Sequence, residues 1–538
     1  MVSTLLIGLD GATFTVLDAL TSDRAGDGVV MPFLARILEG GHRATLRSTA
    51  HPLTPPAWMS LMTGRTPGNH GIFDFVRFED LGHDVYFTLN DFRDVASETI
   101  WEIASREDRS IVALNFPMTG PAPKVNGSLV PGFVSWKHLR RNMWPQTLYD
   151  RIGALEGFSG KELSWDFQRE SQIGHAMPDE ELYAWVEDHL PRERQWANIA
   201  CHLLEEDQPD LLAVMFDGVD KIQHQAWHVL DPALWSEDAA EPAHRVRRVV
   251  LQYFRELDEH IARLVAIAGP EARVFIASDH GFTGSHQIVR INRYLAELGH
   301  LKWRQSDGSK ASERRAQSDF ANLDWSETLA FCPTPSSNAI FIRKADGAGR
   351  PGVPESEYAA FRARLVEDLK KLRHPETGAP VIKNILLRED SFQGSQMHLA
   401  PDLTLELSDN GFVSVRDVAP TVAERDIVTG THHPDGIFLA SGPGIARATG
   451  ARMAITDIAS IVMHSVGLPV PSDFEGRVPE GLFTAEYSAA RPLRSAAATT
   501  TTGRRNRAPA DAGTTQGPSE DERNAILEQL KTLGYLDA

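Results

Sequence analysis

Five short apolar runs, spaced along most of the chain, constrain its fold more than any other feature of the sequence. They are TLLIGLDG (4–11), SIVALNFP (110–117), DLLAVMFDG (210–218), RVFIASDHG (273–281) and GIFLASGPG (436–444). Apolar runs of this length, bounded by turn residues, are typical of strands that are buried on both faces, as in a parallel sheet. Amphipathic stretches lie between them, the clearest at 243–269. This alternation of strands and helices predicts an α/β sandwich.

One long region departs from the alternation. Residues 285–425 contain a polar stretch (305–320), a loop rich in Gly and Pro (344–354) and a helical run (355–373). We interpret the region as an insertion that could lie over the carboxyl edge of the sheet. It would belong to one large domain that covers residues 1–488.

The C-terminal part of the chain has a different composition. Residues 489–518 are of low complexity, rich in Ala, Thr, Arg and Gly, which predicts a disordered linker. Residues 519–538 follow, with a capping box at Ser519 and Glu522 and a stop at Gly534. We expect a short C-terminal helix on a flexible tether.

The charge balance limits the possible partners. The 538 residues include 54 Lys and Arg against 73 Asp and Glu, a formal net charge of −19. This surplus of negative charge argues against binding to nucleic-acid polymers or to an anionic membrane surface. An anionic small molecule would need local positive charge, from metal ions or from the N-terminus of a helix.

Cysteine content and apolar runs bear on the compartment. Cys201 and Cys332 are the only cysteines, too few for a disulfide framework or a thiolate metal site. The opening residues 1–11 have no basic segment followed by a long apolar core, as a signal peptide would. The run at 453–471 is interrupted by charged and polar residues, so it has no continuous apolar stretch long enough to span a bilayer. We therefore expect a cytoplasmic protein, and the sequence leaves its oligomeric state open.

The segment HPLTPPAWMSLMTG (51–64) places a threonine before two prolines and an apolar run. Proline is tolerated in the first turn of a helix, and threonine is a good N-cap. The pattern predicts a helix from Pro55 to Thr63, capped by Thr54 and stopped by Gly64. Taken alone, it indicates a capped surface helix.

Polar residues collect where the predicted strands end, which is where open α/β sheets bind ligands. They are Asp10, then Asp217, Asp220 and His224, then Asp279 and His280, and finally His432 and His433, which come just before the last strand. A lone aspartate or histidine at such a place is more often a turn former or a packed residue. Four such groups, together with the threonine helix, favour a functional site.

Carboxylates mixed with imidazoles suit Zn²⁺ or Mn²⁺, whereas ligands that are all oxygens would suggest Mg²⁺ or Ca²⁺. Six or more candidate ligands exceed the need of one ion. The sequence therefore predicts two divalent metal ions, as in sites that hold the attacking and leaving oxygens of a phosphoryl transfer.

The arrangement resembles the alkaline phosphatase superfamily, and most of all its type I phosphodiesterase/nucleotide pyrophosphatase branch and related predicted phosphohydrolases and phosphomutases. The matching motifs are IGLDGA (7–12), TPPAWMSLMTGRTPGNHGI (54–72), DGVDKIQH (217–224), IASDHGF (276–282), GTHHPDGIF (430–438) and DIASIVMHSVGLPVPSDFEGR (457–477). They occur in family order between residue 3 and about residue 485. The resemblance implies a three-layer α/β/α sandwich with a mostly parallel sheet and a cap-like insertion.

The resemblance also implies residue roles. One metal ion would be bound by Asp10, Thr54, Asp279 and His280, and the other by Asp220, His224 and His432. Thr54 would be the nucleophile, and a phosphothreonine would form and then be hydrolysed. The substrate would be a small phosphorylated molecule.

Several points stay open within the resemblance. Nucleotide pyrophosphatases carry a phosphate-binding asparagine three residues after the nucleophile, where this chain has Ala57. Adjacent His432 and His433 leave the ligand ambiguous, and Asp217 fits a supporting role. The leading hypothesis is a metal-dependent phosphodiesterase. The alternatives are a phosphomutase or phosphomonoesterase on the same core, or a non-catalytic protein that binds a phosphoryl ligand.

Overall fold

The computed structural model describes residues 2–23, 28–80, 85–163, 177–305, 322–345 and 349–499. The strands are β1 (Thr4–Leu9), β2 (His42–Arg47), β3 (Val76–Asp80), β4 (Val85–Leu89), β5 (Ile111–Leu114), β6 (Gly127–Val130), β7 (Leu211–Phe216), β8 (Arg273–Ala277), β9 (Gly281–Arg290), β10 (Ala330–Phe331), β11 (Ala339–Ile342), β12 (Ile382–Leu387), β13 (Leu403–Leu407), β14 (Val413–Ser414), β15 (Val422–His433), β16 (Asp435–Ser441), β17 (Ala448–Ala454), β18 (Val470–Pro471) and β19 (Ser495–Ala496).

The α-helices range from a single turn to 29 residues. They are α1 (Phe14–Leu20), α2 (Pro32–Gly40), α3 (Thr54–Thr63), α4 (Pro67–His70), α5 (Ile100–Arg106), α6 (Trp136–Asn142), α7 (Leu148–Ile152), α8 (Gly160–Leu163), α9 (Asp179–Asp207), α10 (Gly218–Leu230), α11 (Glu241–Ala268), α12 (Ile291–Glu297), α13 (Glu355–Leu369), α14 (Arg388–Ser391), α15 (Asp457–Ser465) and α16 (Ala485–Ala490).

The central sheet has eight strands in the order β17-β2-β16-β8-β1-β7-β5-β6. Strand β1 lies in the middle, parallel to both β7 and β8, with Ile7 opposite Val214 on one side and Ile276 on the other. The predicted α/β fold with a mostly parallel sheet is confirmed, and each of the five apolar runs forms one of its strands.

One strand runs in the direction opposite to the prediction. Strand β16 was expected to be part of a parallel sheet, but it is antiparallel to both of its neighbours, β2 and β8. A strand buried on both faces is apolar throughout in either direction, so its composition does not reveal which way it runs. The direction matters for the site, because the start of β16 lies at the same edge as the end of β8.

Helices cover both faces of the sheet and make it the middle of three layers. Helices α2, α9, α10 and α11 pack on the face that receives Leu5 and Ile7 of β1. Helices α3, α5 and α15 pack on the opposite face, which receives Leu6. The period-two alternation of a strand therefore serves two separate hydrophobic cores.

The region predicted as an insertion has a hydrophobic cluster of its own. Strands β10, β11, β13 and β12 form a four-stranded sheet, against which helix α13 packs through Phe361, Leu365 and Leu369. The hairpin β3–β4, which lies far earlier in the chain, contributes Phe75, Val76 and Phe87 to the same cluster. We call this unit the cap.

The first part of the predicted linker, residues 489–499, lies among the described residues. Strand β19 pairs with β18, and the amide of Thr499 donates to Asp473 at 3.0 Å. Backbone pairing between these two short strands stabilises the segment. Residues 500–538, including the predicted C-terminal helix at 519–538, lie outside the described residues. No helix among the described residues combines the length and the apolar character that crossing a membrane requires.

Gly281 offers a test of how tightly the sheet is packed beside the site. A Cβ at this position would overlap the carbonyl oxygen of Asp435 on the neighbouring strand. We expect Gly281→Ala to lower the free energy of unfolding by about 1–3 kcal/mol, measured by urea denaturation. Gly40→Ala is the matched control, because a Cβ there meets nothing within 4 Å and should be neutral or slightly stabilising. Equal stability of the two variants would contradict this packing.

Candidate active site

The carboxyl edge of the central sheet brings together side chains from four parts of the chain. Asp10 follows β1, Asp279 and His280 follow β8, and Asp220 and His224 lie on α10, which begins just after β7. His432 lies near the end of β15, just before β16. Because β16 is antiparallel, this position falls at the same edge, where His432 joins the other side chains.

His280 stands at the centre of the first group. Its Nε2 lies 3.2 Å from Asp279 Oδ2, 3.7 Å from Asp10 Oδ1 and 3.4 Å from Thr54 Oγ1. The imidazole of His280 is fully buried, and Asp10 is 2% exposed. Asp10, Asp279 and His280 are close enough for one ion to contact all three side chains.

The second group is built around Asp220. The Nε2 atom of His432 is 3.1 Å from Asp220 Oδ1, and the Nε2 atom of His224 is 3.5 Å from Asp220 Oδ2. The imidazole of His280 stacks on that of His432 with 3.6 Å between ring centroids. Asp220, His280 and His432 form another set that one ion could contact, so the geometry places His280 between the two groups rather than in one of them.

Backbone carbonyls fix the tautomer of all three histidines. The Nδ1 atom of His280 lies 3.1 Å from the oxygen of Gly281, that of His224 lies 3.0 Å from Gly430, and that of His432 lies 2.7 Å from Pro52. A carbonyl oxygen only accepts, so each Nδ1 carries the proton and each Nε2 presents a lone pair to the centre of the site. This is the outer hydrogen bond that metal-binding histidines typically make.

These lone pairs and carboxylates fit bound cations. The Nε2 atoms of His224 and His432 face each other at 3.1 Å, and His432 Nε2 faces a carboxylate oxygen at the same distance. Two acceptors at that separation repel each other unless a positive charge lies between them. Three carboxylates and three imidazoles whose Nε2 atoms face inward therefore form a donor set suited to divalent metal ions.

The pKa values of four of the site residues shift towards the neutral forms, chiefly because the charged forms lose their contact with water. Burial, and next the carboxylates of Asp279 and Asp220, raise the pKa of Asp10 well above its usual value. Burial raises the pKa of Asp279 to about 7. Burial also lowers the pKa of His224 to about 4 and that of His280 well below its usual value. The imidazoles of His224 and His280 are thus neutral at pH 7, the form that ligates metals.

Thr54 does not cap its helix, contrary to the prediction from the sequence. Leu53 is the N-cap, and Thr54 is the first helical residue, followed by the two prolines. The Thr54 hydroxyl lies beside His280 instead of turning back to a helix amide. Pro55 and Pro56 have no N–H, so among the first three residues of the helix only Thr54 can offer an amide to an anion. The predicted end at Gly64 is confirmed by its left-handed φ of 67°.

Asp217 and His433 do not join the groups around His280 and Asp220. The carboxylate of Asp217 forms buried ion pairs with Arg192 and Lys221 and accepts from Asn115. It stands at the N-terminus of α10 and so anchors the helix that carries Asp220 and His224. His433 is half-buried, and its Nδ1 accepts the amide of Asp435. It points away from the site because adjacent residues of a strand point to opposite sides.

Reasoning from the sequence missed two supporting contacts. The indole Nε1 of Trp58 lies 3.4 Å from Asp10 Oδ1, and the amide of Gly11 donates to Asp279 Oδ1 at 3.1 Å. Trp58 follows Thr54 by four residues on α3, a spacing that places both side chains on one helix face. That spacing was the available signal, but a buried tryptophan is more often explained by packing alone.

Comparison with known proteins identifies one family over most of the chain. The family model described as type I phosphodiesterase / nucleotide pyrophosphatase matches residues 4–435. Among curated protein sequences, no match to the chain was found.

Solved structures resemble the chain in fold. A crystal structure of phosphonoacetate hydrolase from Sinorhizobium meliloti, in complex with phosphonoformate, superposes with a TM-score of 0.50 and 17% identity, over 86% of this chain and 95% of that chain. Murine ectonucleotide pyrophosphatase/phosphodiesterase 5, an inactive form in complex with AMP, gives 0.47 and 14%, over 87% and 96%. Human ectonucleotide pyrophosphatase/phosphodiesterase 5 gives 0.47 and 14%, over 86% and 95%.

Proposed function

The chain belongs to the type I phosphodiesterase / nucleotide pyrophosphatase family and is a phosphoester hydrolase, and from that premise we propose that it is a metal-dependent phosphodiesterase with Thr54 as its nucleophile. The observation that carries the proposal is the position of the Thr54 hydroxyl beside His280, among the carboxylates of Asp10, Asp220 and Asp279 and three inward-facing Nε2 atoms. A threonine hydroxyl that directs its proton towards the Nε2 atom of His280 keeps the lone pairs of its oxygen free to attack phosphorus. The substrate is a small phosphorylated molecule.

The donor set suits two divalent ions, with Zn²⁺ as the first candidate and Mn²⁺ as the second. Asp10, Asp279 and His280 would hold one ion beside Thr54, and Asp220, His224 and His432 would hold the other. When bound, such ions would lower the pKa of the Thr54 hydroxyl and stabilise negative charge on the phosphoryl and leaving oxygens. Three carboxylates and one threonine alkoxide would balance the four positive charges of two such ions.

The proposed reaction makes and breaks bonds in two steps. The Thr54 Oγ1 loses its proton and forms a bond to phosphorus, while the bond from phosphorus to one ester oxygen breaks and the alcohol leaves with a proton. Water then attacks the phosphothreonine and restores the hydroxyl. The amide of Thr54, at the positive end of α3, is placed to donate to a phosphoryl oxygen.

The fixed orientation of the histidines supports this chemistry. Carbonyls of Gly281, Gly430 and Pro52 hold the three rings through Nδ1, so their Nε2 atoms need no rearrangement during the reaction. Donors and ligands set in place before the reaction usually provide most of the catalysis of phosphoryl transfer.

A substrate panel tests the proposal. We expect the purified protein to hydrolyse bis(p-nitrophenyl) phosphate, to lose that activity with a chelator and to regain it with Zn²⁺ or Mn²⁺. p-Nitrophenyl phosphate, the matched monoester, should be hydrolysed more slowly. Preference for the monoester would favour a phosphomonoesterase, and activity that survives chelation would overturn the metal dependence. Binding of both esters without turnover would indicate a non-catalytic protein.

A further inference from the structure

One aromatic side chain of the cap stands over the second group of candidate ligands. The ring of Phe412 lies 4.6 Å from that of His432 and 6.3 Å from that of His224, measured between centroids. Phe412 is only partly buried, whereas the adjacent Gly411 and Val413 are buried. An aromatic side chain that is partly exposed beside ligands is available to a bound molecule.

The loop that presents Phe412 is attached on one side to β9. The carboxylate of Asp409 accepts the hydroxyl of Ser285 at 2.8 Å and the amides of His286 and Gln287 at 2.7 and 2.9 Å. All three donors lie on β9, which begins directly after His280. One carboxylate thus ties the cap loop to the strand that follows a candidate ligand.

The same loop is attached to the cap sheet on its other side. The side-chain amide of Asn338 donates to the carbonyl of Gly411 at 3.2 Å and accepts from the amide of Val413 at 2.9 Å. These two bonds bracket Phe412 itself. With Asp409 on one side and Asn338 on the other, the backbone that carries Phe412 is held in place before any ligand binds, which lowers the entropy that binding would cost.

His51 contacts Phe412 and also lines a cavity. The ring of Phe412 faces that of His51 edge-on, at 6.2 Å between centroids. His51 lines a cavity of about 1130 Å³ between the β3–β4 hairpin and the cap sheet, whose wall includes Phe73, Phe78 and Phe341. His51 thus contacts Phe412 on one side and, on the other, belongs to a cavity wall that carries further aromatic side chains.

We propose that Phe412 determines specificity by packing against a planar aromatic group attached to the phosphorus of the substrate. The inference rests on the proposed function for the position of the phosphoryl group, but it makes a separate claim about selectivity. It assigns a binding role to a cap residue that touches the candidate site without being a ligand. The preferred class of substrate is accordingly an aryl or heteroaryl phosphoester.

Binding of two phosphonates tests the selectivity without any need for turnover. Calorimetry would compare phenylphosphonate with cyclohexylphosphonate on the metal-loaded protein, since the two ligands share charge and differ in ring planarity. We expect the unmodified protein to bind phenylphosphonate more tightly. Phe412→Ala should weaken phenylphosphonate binding roughly three- to tenfold and affect cyclohexylphosphonate less.

Further variants separate the role of the ring from a loss of structure. Phe412→Leu keeps apolar volume without a ring and should lose the preference, whereas Phe412→Tyr should keep it. Phe158→Ala removes a partly buried phenylalanine that packs on Tyr149, outside the cap, and should leave the preference unchanged. Equal or absent binding of the two phosphonates by the unmodified protein, or an equal loss of both in Phe412→Ala, would overturn the proposal. Failure of hydrolysis in the substrate panel would instead count against the proposed function alone.

Discussion

Thr54→Ala is expected to lower the turnover of bis(p-nitrophenyl) phosphate by at least about a thousandfold, while most of the bound metal remains. The substitution removes the only oxygen that Thr54 offers to phosphorus. It leaves untouched the three carboxylates and three imidazoles that form the rest of the donor set. Steady-state kinetics and metal analysis on the same preparation would measure the two effects together.

Thr54→Ser is the matched control for this prediction. Serine restores a hydroxyl at the same position without the methyl group, so part of the activity should return. The fold should persist in both variants, because the threonine side chain makes no helix cap that its removal would break. Activity of Thr54→Ala equal to that of the unmodified protein would contradict the role of Thr54 as nucleophile.

His432→Ala is expected to lose bound metal and about a thousandfold in turnover. A bound metal ion supplies several kcal/mol of transition-state stabilisation, and a loss of about 4 kcal/mol lowers the rate about a thousandfold. The Nε2 of His432 is the atom that approaches both Asp220 and His224 at 3.1 Å. Elemental analysis of the dialysed protein would report the metal content per chain.

The neighbouring residue supplies the control for the loss of metal. His433→Ala removes an imidazole one position away that points to the other side of the strand and accepts the Asp435 amide. Its metal content should equal that of the unmodified protein, and its activity should change by less than about threefold. Equal metal loss in both variants, or full metal content in His432→Ala, would contradict the ligand assignment.

The direction of one strand explains why the site could be only partly predicted. The sequence predicts correctly that polar residues follow buried strands, and β1, β7 and β8 each place a carboxylate at the sheet edge. His432 and His433 precede a strand, and in an all-parallel sheet they would lie at the opposite edge. They reach the site because β16 is antiparallel, a property that depends on pairing with β2 and β8 rather than on composition.

The helix of Thr54 shows a similar limit. A threonine before two prolines predicts an N-cap by propensity, and the helix does begin there, one residue earlier than expected. Which partner the hydroxyl takes depends on His280, which is 226 residues distant in sequence. Local preferences therefore position the element, whereas tertiary contacts decide what its first side chain does.

The sequence predicts that the cap region interrupts the alternation of strands and helices, but it does not predict which segments and side chains form the cap. The β3–β4 hairpin joins its core although it lies about 200 residues before the insertion begins. Phe412 shows no periodicity or motif that distinguishes it from other phenylalanines. Its position over His432 becomes evident only once Asp409 and Asn338 are seen to hold the loop on both sides.

The stereochemical course at phosphorus tests most directly whether Thr54 attacks the substrate. The substrate would be a phosphorothioate diester that is chiral at phosphorus, hydrolysed in isotopically labelled water. Attack by Thr54 and then by water makes two in-line displacements, each of which inverts the centre, so the account predicts net retention of configuration. Net inversion would show that water attacks the ester directly, and it would contradict a phosphothreonine at residue 54.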